Sequence, residues 1–544
     1  MQQTPQHQPQ NRMGMQKIPA LLVSMGLPMI LSMVLQALYN VVDTMFVINM
    51  GADGALGNIA LSAAFPVQIL MIAIGVGTGV GINAMLSQNL GAGEKLTVNR
   101  TAGNGLFLAA LFYAVFLAFG LFLATPYMRL MSADETVVKM GAKYLKICCC
   151  LSFGSIGFAV AERFLISTGK TLFSMLAQVS GALTNIVLDY VFIYPLGGGV
   201  AGAAYATVIG QIVSLVLALI FHYTLNKEID GNLKYVKPSK KIIKSVYSIG
   251  FPAFLMQGML AAMMFGVLLV IKTIQNEYTV NLLSGSFGIY YKLMQTALFA
   301  AFGLSNTLIS VVSFNYGMKS DARVRSAIKF GILYSVIVTG IIAALFQIFA
   351  APVSKLFALT LDESSAVSKS DVISSTQTAL HIATLGYLFM GVSVAIQGVL
   401  QGFGEIYTPL IISVLRLIFP TLPLVYLFTL CKNAAAMIWW AFPISEVVAA
   451  AVSCAFLLRR IHKQKCSKRP RTMRKIMRPI YNISAASSFS SCSAKLSRRF
   501  LSVSESFLYI SSTRFAPPAA FFFFAPYAFF SLSETFSRSL PLKR

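Results

Sequence analysis

Charged side chains are scarce in this chain, making up 11% of its 544 residues against roughly 25% in an ordinary soluble domain. A water-soluble globular protein is excluded on that ground. Histidine is scarcer still: the four stand apart at positions 7, 222, 381 and 462, and there is no His-Glu-x-x-His. A metal-assisted hydrolase helix, which needs two imidazoles one turn apart, is therefore excluded, and no enzyme activity or cofactor is expected. The seven cysteines show no metal-ligand spacing. Cys148, Cys149 and Cys150 are consecutive in a predicted helix, where their side chains fan out around the axis and cannot converge on one ion. They read as small packing or lipid-facing residues. The first apolar stretch lacks a small-residue cleavage site and is too long for a signal-peptide core, so it is expected to stay as a helix.

Apolar residues fill the space, at 56% of the sequence with a mean hydropathy of +0.73. About twelve apolar runs are long enough to cross a hydrocarbon core about 30 Å thick. They fall near residues 18–48, 57–82, 102–124, 140–166, 172–195, 200–222, 243–271, 284–311, 327–350, 377–401, 407–431 and 435–458. An all-α integral membrane protein in the lipid bilayer is expected.

The net charge of +25 would suit a nucleic-acid partner, but its distribution argues against one. Basic residues crowd one alternate set of connections: Lys95 and Arg100; Lys170; Lys227, Lys234, Lys237, Lys240, Lys241 and Lys244; Arg323, Arg325 and Lys329; Arg459, Arg460, Lys463 and Lys465. The other set is acidic or mixed, with Asp53, Asp134, Glu135, Lys272, Glu277, Asp362, Glu363 and Asp371, and Lys139, Lys143 and Lys146 as exceptions. Positive charge stays on the cytoplasmic side, so both termini are expected there, in a plasma or inner membrane.

The chain is written twice. Ser24-x-Gly26-x-Pro28 recurs as Ser248-x-Gly250-x-Pro252, an offset of 252 − 28 = 224. Ser87-Gln88-Asn89-Leu90-Gly91 recurs as Ser313-Phe314-Asn315-Tyr316-Gly317, and Gly169 recurs as Gly404, at offsets of 226 and 235. The first of these pentapeptides reads as a turn after the second segment, and its copy as a turn after the eighth. Six runs precede a basic linker and six follow it, so both halves start on the same side as parallel repeats. The predicted organisation is an N-terminal segment 1–17, a first lobe 18–222, a linker 223–242, a second lobe 243–458 and a tail 459–544. From about residue 467 the texture changes to Ser, Arg and Phe, with Arg498-Arg499 and Phe521 to Phe524. The tail's apolar run is too short to span a bilayer, and an aberrant extension fits it as well as an interfacial segment does.

Ionisable residues at bilayer depth cost about 2.5–3.5 kcal/mol each and are functional candidates by default. Asp43 ends Tyr39-Asn40-Val41-Val42-Asp43 late in the first run, and Asp189 ends Asn185-Ile186-Val187-Leu188-Asp189 late in the fifth. Asn185 and Asp189 share a helical face, as Asn40 and Asp43 nearly do. With a hydroxyl such as Thr207 from the sixth run they would form an all-oxygen cluster, suited to a hard cation or an exchangeable proton. Simple solvation at the water boundary is the competing reading. Glu162 beside Arg163 is expected to be a cytoplasmic-boundary pair. The second half does not repeat the acids: Asp43 maps to Val267 and Asp189 to Leu424. Its deep charges are Lys292, Arg416 and Glu446, which either pair as a structural network or line a cavity.

Over residues 15–460 the sequence resembles the multidrug and toxic compound extrusion (MATE) transporters. The resemblance rests on Pro28 through Asp43-Thr44, on Ser87 to Gly93, and on Asn185-x-x-x-Asp189 followed by Gly199 to Thr207. It implies two six-helix lobes around a central cleft and export of organic, often cationic, compounds in exchange for Na⁺ or H⁺. In members whose first lobe carries the ion site, the matching residues are Asp43, Asn185, Asp189 and Thr207. These four are expected to couple the ion, holding Na⁺ if Na⁺ is the coupling ion. Gln36, Tyr39, Asn40, Lys292, Arg416 and Glu446 are expected in the cleft or its network, and Pro28 is expected to let the first helix bend. The protein is expected to act as a monomer. A lipid-linked oligosaccharide flippase of the wider superfamily is the alternative, kept open by Lys292 and Arg416.

Overall fold

The computed structural model describes residues 11–50, 54–358, 367–431 and 433–467. The expectations for residues 1–10, for Asp53, Asp362 and Glu363, and for the tail beyond 467 lie outside the described residues, as does the side chain of Asn40.

Among the described residues eleven helices are long and apolar enough to cross a membrane, or twelve when a pair bent by 42° counts as one span. We number them α1 (Ile18–Ile48), α2 (Gly54–Ala92), α3 (Lys95–Met131), α4 (Glu135–Cys150 and Phe153–Ser167), α5 (Thr171–Ile193) and α6 (Gly199–Leu225) in the first lobe. The second lobe holds α7 (Lys240–Ile271), α8 (Glu277–Gly317), α9 (Asp321–Ile348), α10 (Lys369–Gly402), α11 (Tyr407–Thr429) and α12 (Ala434–Lys463). A single helical turn, Arg12–Met15, precedes α1. No strand occurs among the described residues.

Two of the helices, α4 and α8, start at side-chain caps. Asp134 accepts from the Thr136 and Val137 amides at the start of α4, and Asn276 accepts from the Thr279 amide at the start of α8. Helix ends repeat. The Glu94 amide bonds the Asn89 carbonyl at 3.0 Å, and Ser320 bonds Asn315 at 3.1 Å. Likewise Lys170 bonds Leu165 at 2.8 Å, and Glu405 bonds Leu400 at 3.0 Å. This six-to-one closure needs a left-handed residue just inside it, supplied by Gly93 (φ 76°), Gly169 (84°) and Gly404 (77°). At the fourth site the residue is Lys319, with φ 59°. The backbone thus keeps the duplication where the side chain has lost it.

The pentapeptides expected to be turns are helical. They form the last residues of α2 and α8, which run to Ala92 and Gly317, because Asn83, Ser87, Ser313 and Asn315 are buried in protein rather than exposed to lipid. A Cβ on Gly91 would lie 2.0 Å from the Phe314 carbonyl oxygen, and one on Gly317 would lie 2.0 Å from that of Gln88. Only glycine lets the two backbones meet so closely. The seam continues where Gly77 and Gly81 of α2 meet Gly250 and Val246 of α7, and where Gly303 of α8 meets Met29 of α1. The Ser310 hydroxyl donates to Asn83 Oδ1 across it at 2.9 Å. The lobes are therefore shut together at the end that carries the basic connections. Each lobe otherwise has its own apolar core, Tyr290, Phe287, Trp439 and Phe442 being the large members of the second.

Candidate functional site

α1 packs on α5 and α5 on α6, which brings the four oxygen-bearing residues of the first lobe to one place. Asp189 and Asn185 are fully buried on one face of α5, while Asp43 is only partly covered. The Asp43 and Asp189 carboxyl groups lie within hydrogen-bonding reach of each other, with Asn185 beside Asp189. Asn185 Nδ2 donates to Thr207 Oγ1 at 3.4 Å. The expected quartet is thus assembled.

Its electrostatics are incomplete. Asp43 Oδ1, Asn185 Oδ1 and both carboxylate oxygens of Asp189 are buried with no hydrogen-bond donor. Ionised carboxylates only accept, so the two acids cannot satisfy each other. Orphaned buried acceptors are costly, and two facing carboxylates more so. A proton shared between them, or a hard cation among the four oxygens, removes the penalty, and the donor set fits either. Among the described residues no three His, Cys, Asp or Glu side chains converge to hold a metal.

A second tier of polar residues ties the site to its helices. Gln178 Nε2 donates to Gln36 Oε1 at 2.7 Å, and the Ser32 hydroxyl donates to Gln178 Oε1, joining α1 to α5. Gln36 therefore belongs to a network rather than standing free. Tyr39 lies close enough to interact with both acids. Sequence reasoning missed Gln68 of α2, whose Nε2 donates at 2.6 Å to the hydroxyl of Tyr144 in α4, near Asp43. A lone glutamine and a lone tyrosine carry no spacing signal, and only packing brings them together. Pro28 lies inside an uninterrupted α1.

Glu162 and Arg163 pair at 3.3 Å, and the Ser174 hydroxyl donates to Glu162 at 3.1 Å. Each residue is 4% exposed, so the pair is covered by protein rather than solvated. Cys148 and Cys149 are buried packing residues.

Among the described residues the second lobe has no counterpart of the acid site. Val267 is buried in the apolar core and Leu424 packs against it. Its charges form a separate cluster, with Arg416 Nε 3.4 Å from Glu446 Oε1 and the Ser393 hydroxyl 3.5 Å from Glu446 Oε2. Tyr290, Tyr387, Arg416, Thr421 and Glu446 line a cavity of about 20 Å³, room for one water. Both long contacts suit a bridging water. Lys292 makes no ion pair among the described residues, and the charged pair of this cluster is Arg416 with Glu446.

A family model described as MatE matches residues 28–191 and 281–427. The multidrug export protein MepA of Staphylococcus saprophyticus is 24% identical over 438 residues, covering 80% of this chain and 92% of its own. That of Staphylococcus haemolyticus is 26% identical, with 79% and 90% covered. Among solved structures, a multidrug resistance MATE family transporter of the MOP superfamily in an outward-facing conformation superposes with a TM-score of 0.77 at 25% identity, over 83% of this chain and 97% of that one. A MOP superfamily transporter from Pyrococcus furiosus shares the fold with a TM-score of 0.73 at 24% identity, over 83% and 97%.

Proposed function

Because this chain belongs to the MatE family, we propose that it is a secondary active multidrug exporter that expels organic, often cationic, compounds in exchange for Na⁺ or H⁺. The observation that carries this reading is the set of orphaned buried oxygens on Asp43, Asn185 and Asp189. A site that is costly empty and relieved by one positive charge can drive a conformational exchange, provided its affinity differs between the two states. Asp43, partly uncovered on α1, is the entry side; Asp189, fully buried on α5, is the anchor. Occupancy would pull α1 toward α5 through these acids, and the Ser32–Gln178–Gln36 tie would carry that movement along α1.

In the proposed cycle the shut basic end faces the cytoplasm, both termini lie on that side, and this conformation is the outward-facing one. The likeness to a MATE transporter in an outward-facing conformation, at 25% identity, supports that last point. The organic substrate enters the cleft between the lobes, and Pro28, which leaves the Ser24 carbonyl without its helical donor, gives α1 a place to bend. The lobe organisation proposed is residues 18–222 and 243–458 about the linker 223–242. Lys292 remains assigned to the cleft. Pairing of Arg416 with Glu446 removes much of the basic surface that a pyrophosphate-linked flippase substrate would need.

Proteoliposomes test the reading. Dye efflux is measured under imposed Na⁺ and pH gradients for the parent, Asp43→Asn and Asp189→Asn. Loss of gradient-driven efflux in both variants is expected, and undiminished coupled efflux in both would overturn the site.

A further inference from the structure

The segments that lead into the two repeats brace the lobes reciprocally at the basic end. The second leader, residues 226–239, belongs to the chain entering α7 but lies on the first lobe. The Asp230 amide donates to Asn99 Oδ1 at 3.0 Å, Asn104 Nδ2 donates to the Lys237 carbonyl at 3.1 Å, and the Ser239 amide donates to Asn104 Oδ1 at 2.8 Å. The first leader, residues 11–16, enters α1 but is held by the second lobe. Arg323 Nη2 donates to the carbonyls of Met13 and Gln16, both at 2.8 Å. Lys237 and Met13 stand at 237 − 13 = 224, the same offset as Pro252 and Pro28.

The first leader touches both lobes within a few residues. The fully buried Met13 side chain lies beside Gly169 of the first lobe, while a Cβ on its neighbour Gly14 would lie 3.1 Å from Met318 Sδ of the second. Asn11 Nδ2 donates to the Thr168 carbonyl at 3.4 Å and to Glu228 Oε1 at 3.1 Å, and Glu228 is in turn paired with Lys170. Arg323 is itself aimed by Asn315 of the repeated pentapeptide, whose Oδ1 accepts from Arg323 Nε at 2.6 Å. The first copy of the repeat has no such arginine: Arg323 maps to Thr97 at the offset of 226. The brace is therefore symmetric in backbone and asymmetric in charge.

We infer that residues 11–16 are a strap that ties the second lobe to the first through Arg323, and that this strap must let go each time the basic end opens. The inference rests on the alternating-access reading for its purpose, but its test does not use transport. Purified protein in nanodiscs is followed by amide hydrogen exchange along residues 83–92 and 310–317, the facing ends of α2 and α8. Exchange there follows the equilibrium of opening. Arg323→Ala removes a charged donor serving two carbonyls, and exchange at both stretches is expected to rise at least about tenfold, the equivalent of one charge-assisted hydrogen bond. Arg323→Lys keeps the charge without the fork and should fall between the two. Asn11→Ala loosens the opposite end of the strap and should raise exchange at the same two stretches. Silence of Asn11→Ala would reduce Arg323 to a local support of α9, and unchanged exchange in Arg323→Ala would remove the strap altogether. Either result overturns the inference and leaves the acid site of the first lobe untouched.

Discussion

Replacing Gly317 by alanine should force the lobes apart at their basic end. The new Cβ would lie 2.0 Å from the Gln88 carbonyl oxygen, where real Cβ atoms essentially never come within 3.0 Å. The seam must therefore part by at least 3.0 − 2.0 = 1.0 Å, since the obstacle is backbone and cannot rotate away. Overpacking of this kind costs about 1–3 kcal/mol, which is a shift of about 5- to 150-fold in a two-state population. The sign is diagnostic, because alanine in an unhindered helix would instead stabilise it by about 1 kcal/mol. A Ser310→Cys reporter, buried in the seam, can be treated with a membrane-impermeant thiol reagent and quantified by peptide mapping, which separates it from the native cysteines. Faster labelling in the Gly317→Ala background is expected. Labelling no faster than in the Gly317 parent, together with an unchanged or raised melting temperature, would refute the claim that close backbone approach holds this end shut. Gly91→Ala, facing the Phe314 carbonyl at the same 2.0 Å, should behave alike, and the double variant should cost less than the sum because one displacement relieves both clashes.

Further outcomes follow from other parts of the molecule. Arg416→Met should destabilise the detergent-solubilised protein by about 3–5 kcal/mol by leaving Glu446 buried and unpaired, and adding Glu446→Leu should recover much of that loss in a thermal melt. If the single and double variants melt together, the pair contributes nothing as a unit. Gln178→Leu strands Ser32 and Gln36 and should cost about 1–3 kcal/mol; a melting temperature equal to the parent's would show that the tie between α1 and α5 is idle. Lys319→Gly relieves a left-handed backbone conformation that costs a side chain about 1–2 kcal/mol, so the melting temperature should rise, whereas Gly93→Ala at the repeat-equivalent position should lower it.

Much of the architecture was legible because it follows from composition and order. Apolar runs of bilayer length had to be helices, and the doublings of Pro28, Gly91 and Gly169 gave two lobes. Helix ends were less legible. The run near 57–82 became Gly54–Ala92, since Asn83 and Ser87, too polar for lipid, are buried in protein, Asn83 against Ser310 of the other lobe and Ser87 against the Ser167 carbonyl of its own. At the site, Asp43, Asn185, Asp189 and Thr207 could be picked out because a carboxyl in an apolar run is conspicuous and a four-residue spacing fixes a face. Gln68 and Tyr144 could not, because nothing in their local sequence says that α2 and α4 meet near Asp43. Similarly, three deep charges in the second half allowed several pairings, and packing chose Arg416 with Glu446 and left Lys292 aside.

By itself, then, the sequence determined that this chain spans a membrane in two related halves and that the paired aspartates Asp43 and Asp189 lie in the first, with no repeat equivalents in the second. Hydropathy and periodicity are local properties that survive without coordinates. Only the tertiary structure decided that the repeated glycines are the seam where the lobes touch, that the acids leave buried oxygens without donors, and that each repeat's leader is hydrogen-bonded to the opposite lobe. Those facts depend on which surfaces meet, and residues separated by 217 to 310 positions are brought into contact by packing that no local pattern encodes.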